Sequence, residues 1–416
     1  MATDRVVIAG TSIGGIRTAQ ALRAEGYQGE IVMIGAESVD PYDKPPLSKQ
    51  FLSGENDFSD IALLGSAGWA GIEAVPLLGR AATSLDVARK EVVLADNERV
   101  SYNHLVIATG ARARTLLDPN GSPVAQTIRD AQDAVALRER ISRGGPVVVV
   151  GGGFVGAEVA STASQLGAAT TIVEAMPVPF SRVLGPQVGE ILAALHQDNA
   201  VKVIAGVGVA SVVPGADGTS RVHLANGTTL EAAAVVAGIG VIPNSEWLEG
   251  SGVAVRDGVI CDEYCAVDGA ADVYAIGDVA RWRHLPTGEY RRVEHWTNAV
   301  DQASTVAHNI LHASEKKAYA AAPYFWSDQH GTKIQMVGDI SSTDHVELHT
   351  FRVLATDRRI AVYSQNGRLT AGVALGWPRG MVLMRKLWER NASAAEAVAE
   401  LEVLAHNAVR ARAVPA

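Results

Sequence analysis

Cysteine is nearly absent. The 416-residue chain holds two, Cys261 and Cys265, too few for the disulfide framework that staples secreted domains. No His/Cys cluster accompanies their C-x-x-x-C spacing, so the pair is expected to pack in a core rather than bind metal. Proline is sparse at 16 residues, and the 41 glycines follow no fixed period, which removes collagen-like and low-complexity readings. No uninterrupted run of 18 apolar residues occurs, so no transmembrane helix is expected. The first apolar run, Val6-Val7-Ile8-Ala9, is too short for the core of a secretory leader, and a cytoplasmic location is expected. Basic residues number 36 against 45 acidic ones, a formal charge of −9. That balance argues against a general nucleic-acid binder, which needs a basic footprint.

What the chain has is apolar residues (48%) and glycine. At ~100–200 residues per domain, the length suggests about two to four domains. Two segments share one plan of apolar strand, glycine-rich turn and helical pattern. The first runs Arg5-Val6-Val7-Ile8-Ala9-Gly10-Thr11-Ser12-Ile13-Gly14-Gly15; the second runs Val147-Val148-Val149-Val150-Gly151-Gly152-Gly153-Phe154-Val155-Gly156. In such a turn the first glycine permits a tight bend, the second lets backbone approach a pyrophosphate, and the third lets helix pack close to strand. The phosphates then sit on the positive end of the helix. Gly151, Gly153 and Gly156 complete G-x-G-x-x-G. The first copy has Ser12 in the middle, a tolerated variant whose hydroxyl can bond a phosphate.

Each copy continues as a βαβ unit. Thr170-Thr171-Ile172-Val173 reads as a strand ending at Glu174, near the ~20-residue spacing expected for an acid on a ribose 2′-hydroxyl. A carboxylate there repels a 2′-phosphate, so NADH is favoured over NADPH. In the first copy Glu30-Ile31-Val32-Met33-Ile34 reads as a strand, followed by Gly35, Ala36 and Glu37. Two dinucleotide sites imply two cofactors, or a cofactor and a substrate; FAD with NAD is the economical choice, since flavin couples two-electron to one-electron chemistry.

These residues resemble the FAD-dependent NADH:ferredoxin reductases, of the putidaredoxin reductase and aromatic-ring dioxygenase reductase type, in order along essentially the whole chain. The most specific element is Pro41-Tyr42-Asp43-Lys44-Pro45-Pro46-Leu47-Ser48-Lys49. Disulfide reductases of the same superfamily carry a redox-active cysteine pair in this region, and here there is none. The resemblance implies that Lys49 lies against the isoalloxazine near N5, that its charge favours the anionic reduced flavin, and that Glu158 pairs with it. A Lys–Glu pair in a cleft is costly to bury unless both partners are held, which suits a site more than a scaffold.

Further positions follow from the same resemblance. Gly14, Lys44, Ala82 and Arg129 are placed on the FAD, and Asp278, in Ala275-Ile276-Gly277-Asp278, on its ribitol hydroxyls. Many relatives have an acid at Ala36, so the adenosine ribose contact passes to Glu37 or to backbone. Glu294-His295-Trp296-Thr297 matches a helix whose start faces the flavin pyrimidine edge, which stabilises negative charge there. Trp296 covers the ring and lies on the electron exit route. Trp326, in Trp326-Ser327-Asp328-Gln329, sits near the flavin edge. Phe154, Val155, Arg182 and Gly240 complete the nicotinamide side.

The expected fold is α/β: two Rossmann-like dinucleotide-binding domains of glutathione-reductase type and a C-terminal α+β domain. FAD binding is assigned to 1–112 and 244–321, NADH binding to 113–243, and the third domain to 322–416, with strands near 333–338, 345–349, 359–364 and 369–375 and helices near 379–390 and 393–408. The resemblance implies electron transfer from NADH through FAD to a 2Fe-2S ferredoxin, serving a cytochrome P450 or Rieske oxygenase. Arg379, Arg385, Lys386 and Arg390 are candidates for a basic docking face. Two other readings share the motifs: an NADH oxidase or rubredoxin reductase, and an apoptosis-inducing-factor-like flavoprotein whose association responds to NADH.

Overall fold

The computed structural model describes residues 4–413 except 217, 286, 354 and 355, with side chains as far as 407. The chain divides into two compact units. The first comprises Met1–Pro45, Asn56–Arg112 and Val241–Ala321; the second comprises Pro46–Glu55, Ala113–Gly240 and Ala322–Ala416.

The first unit is built on a five-stranded sheet. Its order is Val273–Ala275, His104–Ile107, Arg5–Ala9, Glu30–Ile34, Ala74–Leu77, all parallel. Val7 lies opposite both Val32 and Leu105. Val6, Val7, Ile8, Leu105, Val106 and Ile107 have no exposed surface, the mark of strands covered on both faces, which is why they read as continuous apolar runs. Helix Ile13–Ala24 follows the first strand and packs beside helix Trp296–Leu311. Small residues allow this approach: a Cβ on Gly14 would lie 3.7 Å from that of Ala299.

The second unit holds a four-stranded parallel sheet ordered Lys202–Ala205, Thr170–Glu174, Val147–Val150, Ala234–Ala237. Four consecutive valines, all buried, form the strand that leads into the second glycine turn. Helix Phe154–Gln165 follows that turn. The next helical stretch, Ser181–Asp198, is broken at Gly185, which precedes Pro186. Proline drives the residue before it out of the α region and offers no N–H of its own. The Leu184 carbonyl at the break accepts instead from the hydroxyl of Tyr363, 2.6 Å away.

The C-terminal sheet of this unit is antiparallel, ordered Tyr324–Gln329, Thr332–Gly338, Arg368–Leu375, Thr356–Gln365, His345–Val353. Four of these strands fall where the sequence pattern puts them, and Tyr324–Gln329 is an additional one. Its inward residues are Phe325, Ser327 and Gln329. Two polar residues on the buried side conceal the period-2 alternation that marks a half-buried strand. One face of the sheet is covered by helices Pro378–Glu389 and Ala394–Ala413 through Trp377, Met381, Met384, Leu387 and Leu401. Phe180, Leu184, Val188 and Leu192 share a second core with Phe325, Ile334, Tyr363 and Val373. Among the described residues, no helix is long and apolar enough to cross a membrane.

Tyr363 is 2% exposed, and burial raises its hydroxyl well above the ordinary tyrosine range. Tyr363→Phe leaves the Leu184 carbonyl without this donor and is expected to destabilise the protein by about 1–2 kcal/mol. Chemical denaturation of the variant against the parent measures it.

Candidate functional site

The two glycine turns have the same backbone architecture. Gly10 has φ +128° and Gly151 φ +103°, a region closed to most side chains. Each is backed by the end of the adjacent strand: a Cβ on Gly10 would lie 2.1 Å from the Ala108 carbonyl oxygen, and one on Gly151 2.4 Å from that of Gly238. The third glycines brace the turn from the helix side. A Cβ on Gly15 would sit 1.9 Å from the Gly10 oxygen, and one on Gly156 2.3 Å from the Gly151 oxygen. The middle position differs in kind. Gly153 caps its helix at φ −85°, ψ −179°, with only the Gly238 oxygen within 4.0 Å of a Cβ. Ser12 caps the first helix at φ −83°, ψ −169° and spends no side-chain bond on it. A serine therefore fits this position without strain, its hydroxyl uncommitted to the cap. At the position where a pyrophosphate approaches, the second turn carries no side chain and the first only a serine hydroxyl, so both fit a dinucleotide.

The acids after the turns are used differently. Glu174 accepts from the Gly152 N–H and the Met176 N–H, each at 2.7 Å, so it braces its own turn while keeping lone pairs for a ribose. Glu37 is bound by Lys44 at 3.0 Å and by the Tyr42 hydroxyl. Thr11, Ser12, Glu37, Tyr42 and Lys44 line one cleft, which brings together three positions proposed from sequence. Ala36 is exposed and supplies no polar side chain.

Elsewhere in the first unit, the Trp296 indole N–H donates to Asp43 at 2.8 Å. This pins the start of helix Trp296–Leu311, with His295 as its N-cap, to the proline-rich segment. Gln302 accepts from the Gly277 N–H at 2.8 Å, fixing the turn that presents Asp278. Ala82 opens a strand of a small antiparallel sheet.

In the second unit Lys49 Nζ lies 2.9 Å from Glu158 Oε2, with side chains 10% and 7% exposed. The Ser48 hydroxyl donates to the same oxygen at 2.5 Å, and the Ser327 hydroxyl donates to Oε1 at 2.6 Å. The network continues beyond what the sequence suggested. Gln329 Nε2 donates to Ser327 Oγ (3.0 Å), His196 Nε2 lies 3.0 Å from Gln329 Oε1, and His330 Nε2 lies 3.0 Å from His196 Nδ1. An ionised carboxylate only accepts, so Ser327 must donate to it. That orientation propagates outward, setting His196 with its proton on Nε2 and His330 as donor to its Nδ1. Burial and the neighbouring His330 lower the His196 pKa to about 4, and burial lowers that of His330 as well. His196 is therefore neutral, as the hydrogen-bond directions require.

Against known proteins, residues 4–303 match the model for pyridine nucleotide-disulphide oxidoreductases, and residues 324–404 match a reductase C-terminal model. The chain belongs to the pyridine nucleotide-disulphide oxidoreductase family. Within it, the chain is 35% identical over 404 residues to the ferredoxin–NAD(+) reductase subunit of the benzene 1,2-dioxygenase system of Pseudomonas putida, covering 97% of this chain and 95% of that one. The solved ferredoxin reductase for the CYP199A2 system of Rhodopseudomonas palustris superposes with a TM-score of 0.88 at 32% identity, covering 94% of this chain and 95% of that one. Putidaredoxin reductase in its covalent complex with putidaredoxin gives 0.86 at 30% identity, covering 94% of each chain.

The disulphide chemistry in the family's name has no counterpart here. Cys261 and Cys265 are free and fully buried, and burial raises both thiols far from the thiolate form. Other positions proposed from sequence are dispersed in the second unit. Arg129 is half-buried just ahead of helix Ala131–Ser142, its N–H held by Asp133 at 2.8 Å. Arg182 is exposed in the first turn of the broken helix, and Val155 is 48% exposed at the start of its own. Phe154 packs edge-on to Phe325 at 4.4 Å between centroids, and Trp326 lies 6.4 Å from Tyr324. Gly240 accepts from the Arg114 N–H at 2.9 Å. Of the basic candidates, Arg385 pairs with Glu389 at 3.1 Å and Arg390 with Glu400, so two of the four are already matched by acids.

Two predictions follow from these geometries. Ser12→Gly is expected to change stability by no more than about 1 kcal/mol, whereas Gly15→Ala, which drives a methyl into the Gly10 carbonyl, is expected to lower the melting temperature sharply; thermal denaturation of both separates the positions. For His196, the unfolded side chain takes its proton near pH 6.5 and the folded one only near 4, so between these the unfolded state binds more protons. Stability is then lost as pH falls through this window, by about 3 kcal/mol from this residue. Melting temperature against pH checks it, with a shallower fall expected for His196→Gln.

Proposed function

We propose that the chain is an FAD-dependent NADH:ferredoxin oxidoreductase, delivering electrons singly to a 2Fe-2S ferredoxin that serves a cytochrome P450 or Rieske oxygenase. One observation carries the reading: a single chain holds two dinucleotide turns, and Lys49, at the end of the cysteine-free stretch 41–49, is held by Glu158 in a buried ion pair. The near full-length similarity to a ferredoxin–NAD(+) reductase subunit supports it. FAD held by these residues would supply hydride acceptance from NADH and release of electrons one at a time.

The chain's own residues then bind, orient and set charge. Residues 1–112 and 244–321 are assigned to FAD, 113–243 to NADH and 322–416 to a third region. The Gly10–Gly15 turn takes the FAD pyrophosphate, Glu37 the adenosine ribose and Asp278 the ribitol hydroxyls. Gly151–Gly156 takes the NADH pyrophosphate, and the Glu174 carboxylate accepts from the ribose 2′-hydroxyl while repelling a 2′-phosphate. Lys49 supplies positive charge that favours the reduced flavin, and Glu158 with its serines fixes the ammonium in place. The positive end of the helix beginning at Trp296 acts in the same sense. No general acid, base or nucleophile is needed. A cytoplasmic location belongs to the same proposal.

Steady-state cytochrome c reduction through a panel of ferredoxins tests this, with NADH and NADPH compared. NADH is expected to be preferred, and Lys49→Met to slow turnover about 10- to 100-fold, the equivalent of ~1–3 kcal/mol of lost charge stabilisation. Oxygen consumption without a carrier as fast as ferredoxin reduction, or a preference for NADPH, would overturn the reading.

A further inference from the structure

Helices Ile13–Ala24 and Trp296–Leu311 run alongside one another, and their far ends carry a side-chain cluster that the proposed redox function does not use. Glu25 caps the C-terminus of the first helix, His308 lies in the last turn of the second, and His312 caps it. His308 Nδ1 and His312 Nε2 each lie 3.3 Å from the same oxygen, Glu25 Oε2. The imidazole centroids are 4.5 Å apart, as expected for side chains four residues apart on one helical face.

The hydrogen bonding fixes which atoms face inward. His308 Nε2 lies 3.1 Å from the Glu315 backbone oxygen. A carbonyl only accepts, so the Nε2–H of His308 donates to it, which leaves Nδ1 as the ring atom facing Glu25. A carboxylate offers only lone pairs in return. Acceptors converging at 3.3 Å need a cation among them or a proton on a ring. The separation suits the metal: ligands bound at about 2.0–2.1 Å in tetrahedral geometry lie roughly 3.3–3.4 Å from each other. A backbone carbonyl holding the remote ring nitrogen is also the outer-shell arrangement that orients metal-binding histidines.

We propose that Glu25, His308 and His312 form a surface site for a divalent transition-metal ion of the zinc class, with a coordination position left to water. Among the described residues, no other group of three His, Cys, Asp or Glu side chains converges this way. Imidazole with a single carboxylate favours zinc-like ions over magnesium or calcium, which prefer all-oxygen shells. Bound metal would tie together the C-terminal ends of two helices whose other ends carry the Ser12 turn and Trp296.

The test is calorimetric titration of ZnCl2 into chelator-washed, tag-free holoprotein, followed by the visible spectrum after loading with CoCl2. One saturable site per chain is expected, with a rise in melting temperature and a cobalt spectrum of tetrahedral N/O type. Glu25→Gln and His312→Ala, both at exposed positions, are each expected to weaken binding at least tenfold. Absence of saturable zinc binding, or binding unchanged in both variants, would overturn the proposal and leave the cluster as a histidine–carboxylate ion pair; neither outcome bears on ferredoxin reduction.

Discussion

A buried carboxylate must be satisfied on every side, and Glu158 is the group on which the second unit turns. Its two oxygens draw an ammonium and a hydroxyl from the Ser48–Lys49 segment and a second hydroxyl from the C-terminal sheet. Such a pair is worth little net stability, because desolvation offsets most of the attraction. What it supplies is placement. Leaving Lys49 out strands a buried charge and leaving a serine out leaves a buried carboxylate oxygen short of a donor, so three segments distant in sequence are held to one arrangement. The polarity set by the carboxylate runs on through Ser327 and Gln329 to His196 and His330, every donor pointing inward. The network thus runs into the His196 imidazole, which must stay uncharged to accept from His330, linking an electrostatic requirement near Lys49 to solution pH.

The two dinucleotide turns show how far one backbone design tolerates change. Where carbonyls crowd the first and third glycines, no side chain fits; where the middle residue has ordinary dihedrals, a serine does. The downstream acids diverge more. Glu174 is structurally tied to its turn through Gly152, whereas Glu37 is held by Tyr42 and Lys44 from the segment that follows. The first site therefore draws on the proline-rich stretch for its shape, and Asp43, anchored by Trp296, extends that dependence.

The parallel sheets and both turns were legible in the sequence because their signals are local: apolar runs, glycines forced by sterics, and acids at a fixed spacing. Lys49 and Glu158 were legible only through family resemblance, since nothing local marks a pair 109 residues apart. His196, Ser327, Gln329 and His330 as a network were not legible at all. Polar residues facing a core carry the opposite of the expected pattern, and their partners come from other elements through tertiary packing. The same reversal hid the strand Tyr324–Gln329. Cys261 and Cys265 did prove to be packing residues, as the lack of companion ligands suggested.

Two family models meet this chain on either side of residues 304–323, where it passes from the first unit to the second, yet within that second unit the C-terminal part is not self-contained. In it, Ser327 completes the shell around Glu158, Gln329 receives His196, and Tyr363 caps the carbonyl freed at the Gly185–Pro186 break. For anyone exchanging C-terminal modules between reductases to redirect their electron carriers, the transplant is therefore a matter of inheritance in pairs. The incoming strand must bring a hydroxyl and an amide in register with the host's own glutamate and histidine, or the graft will arrive with the right surface and unpartnered polar groups beneath it.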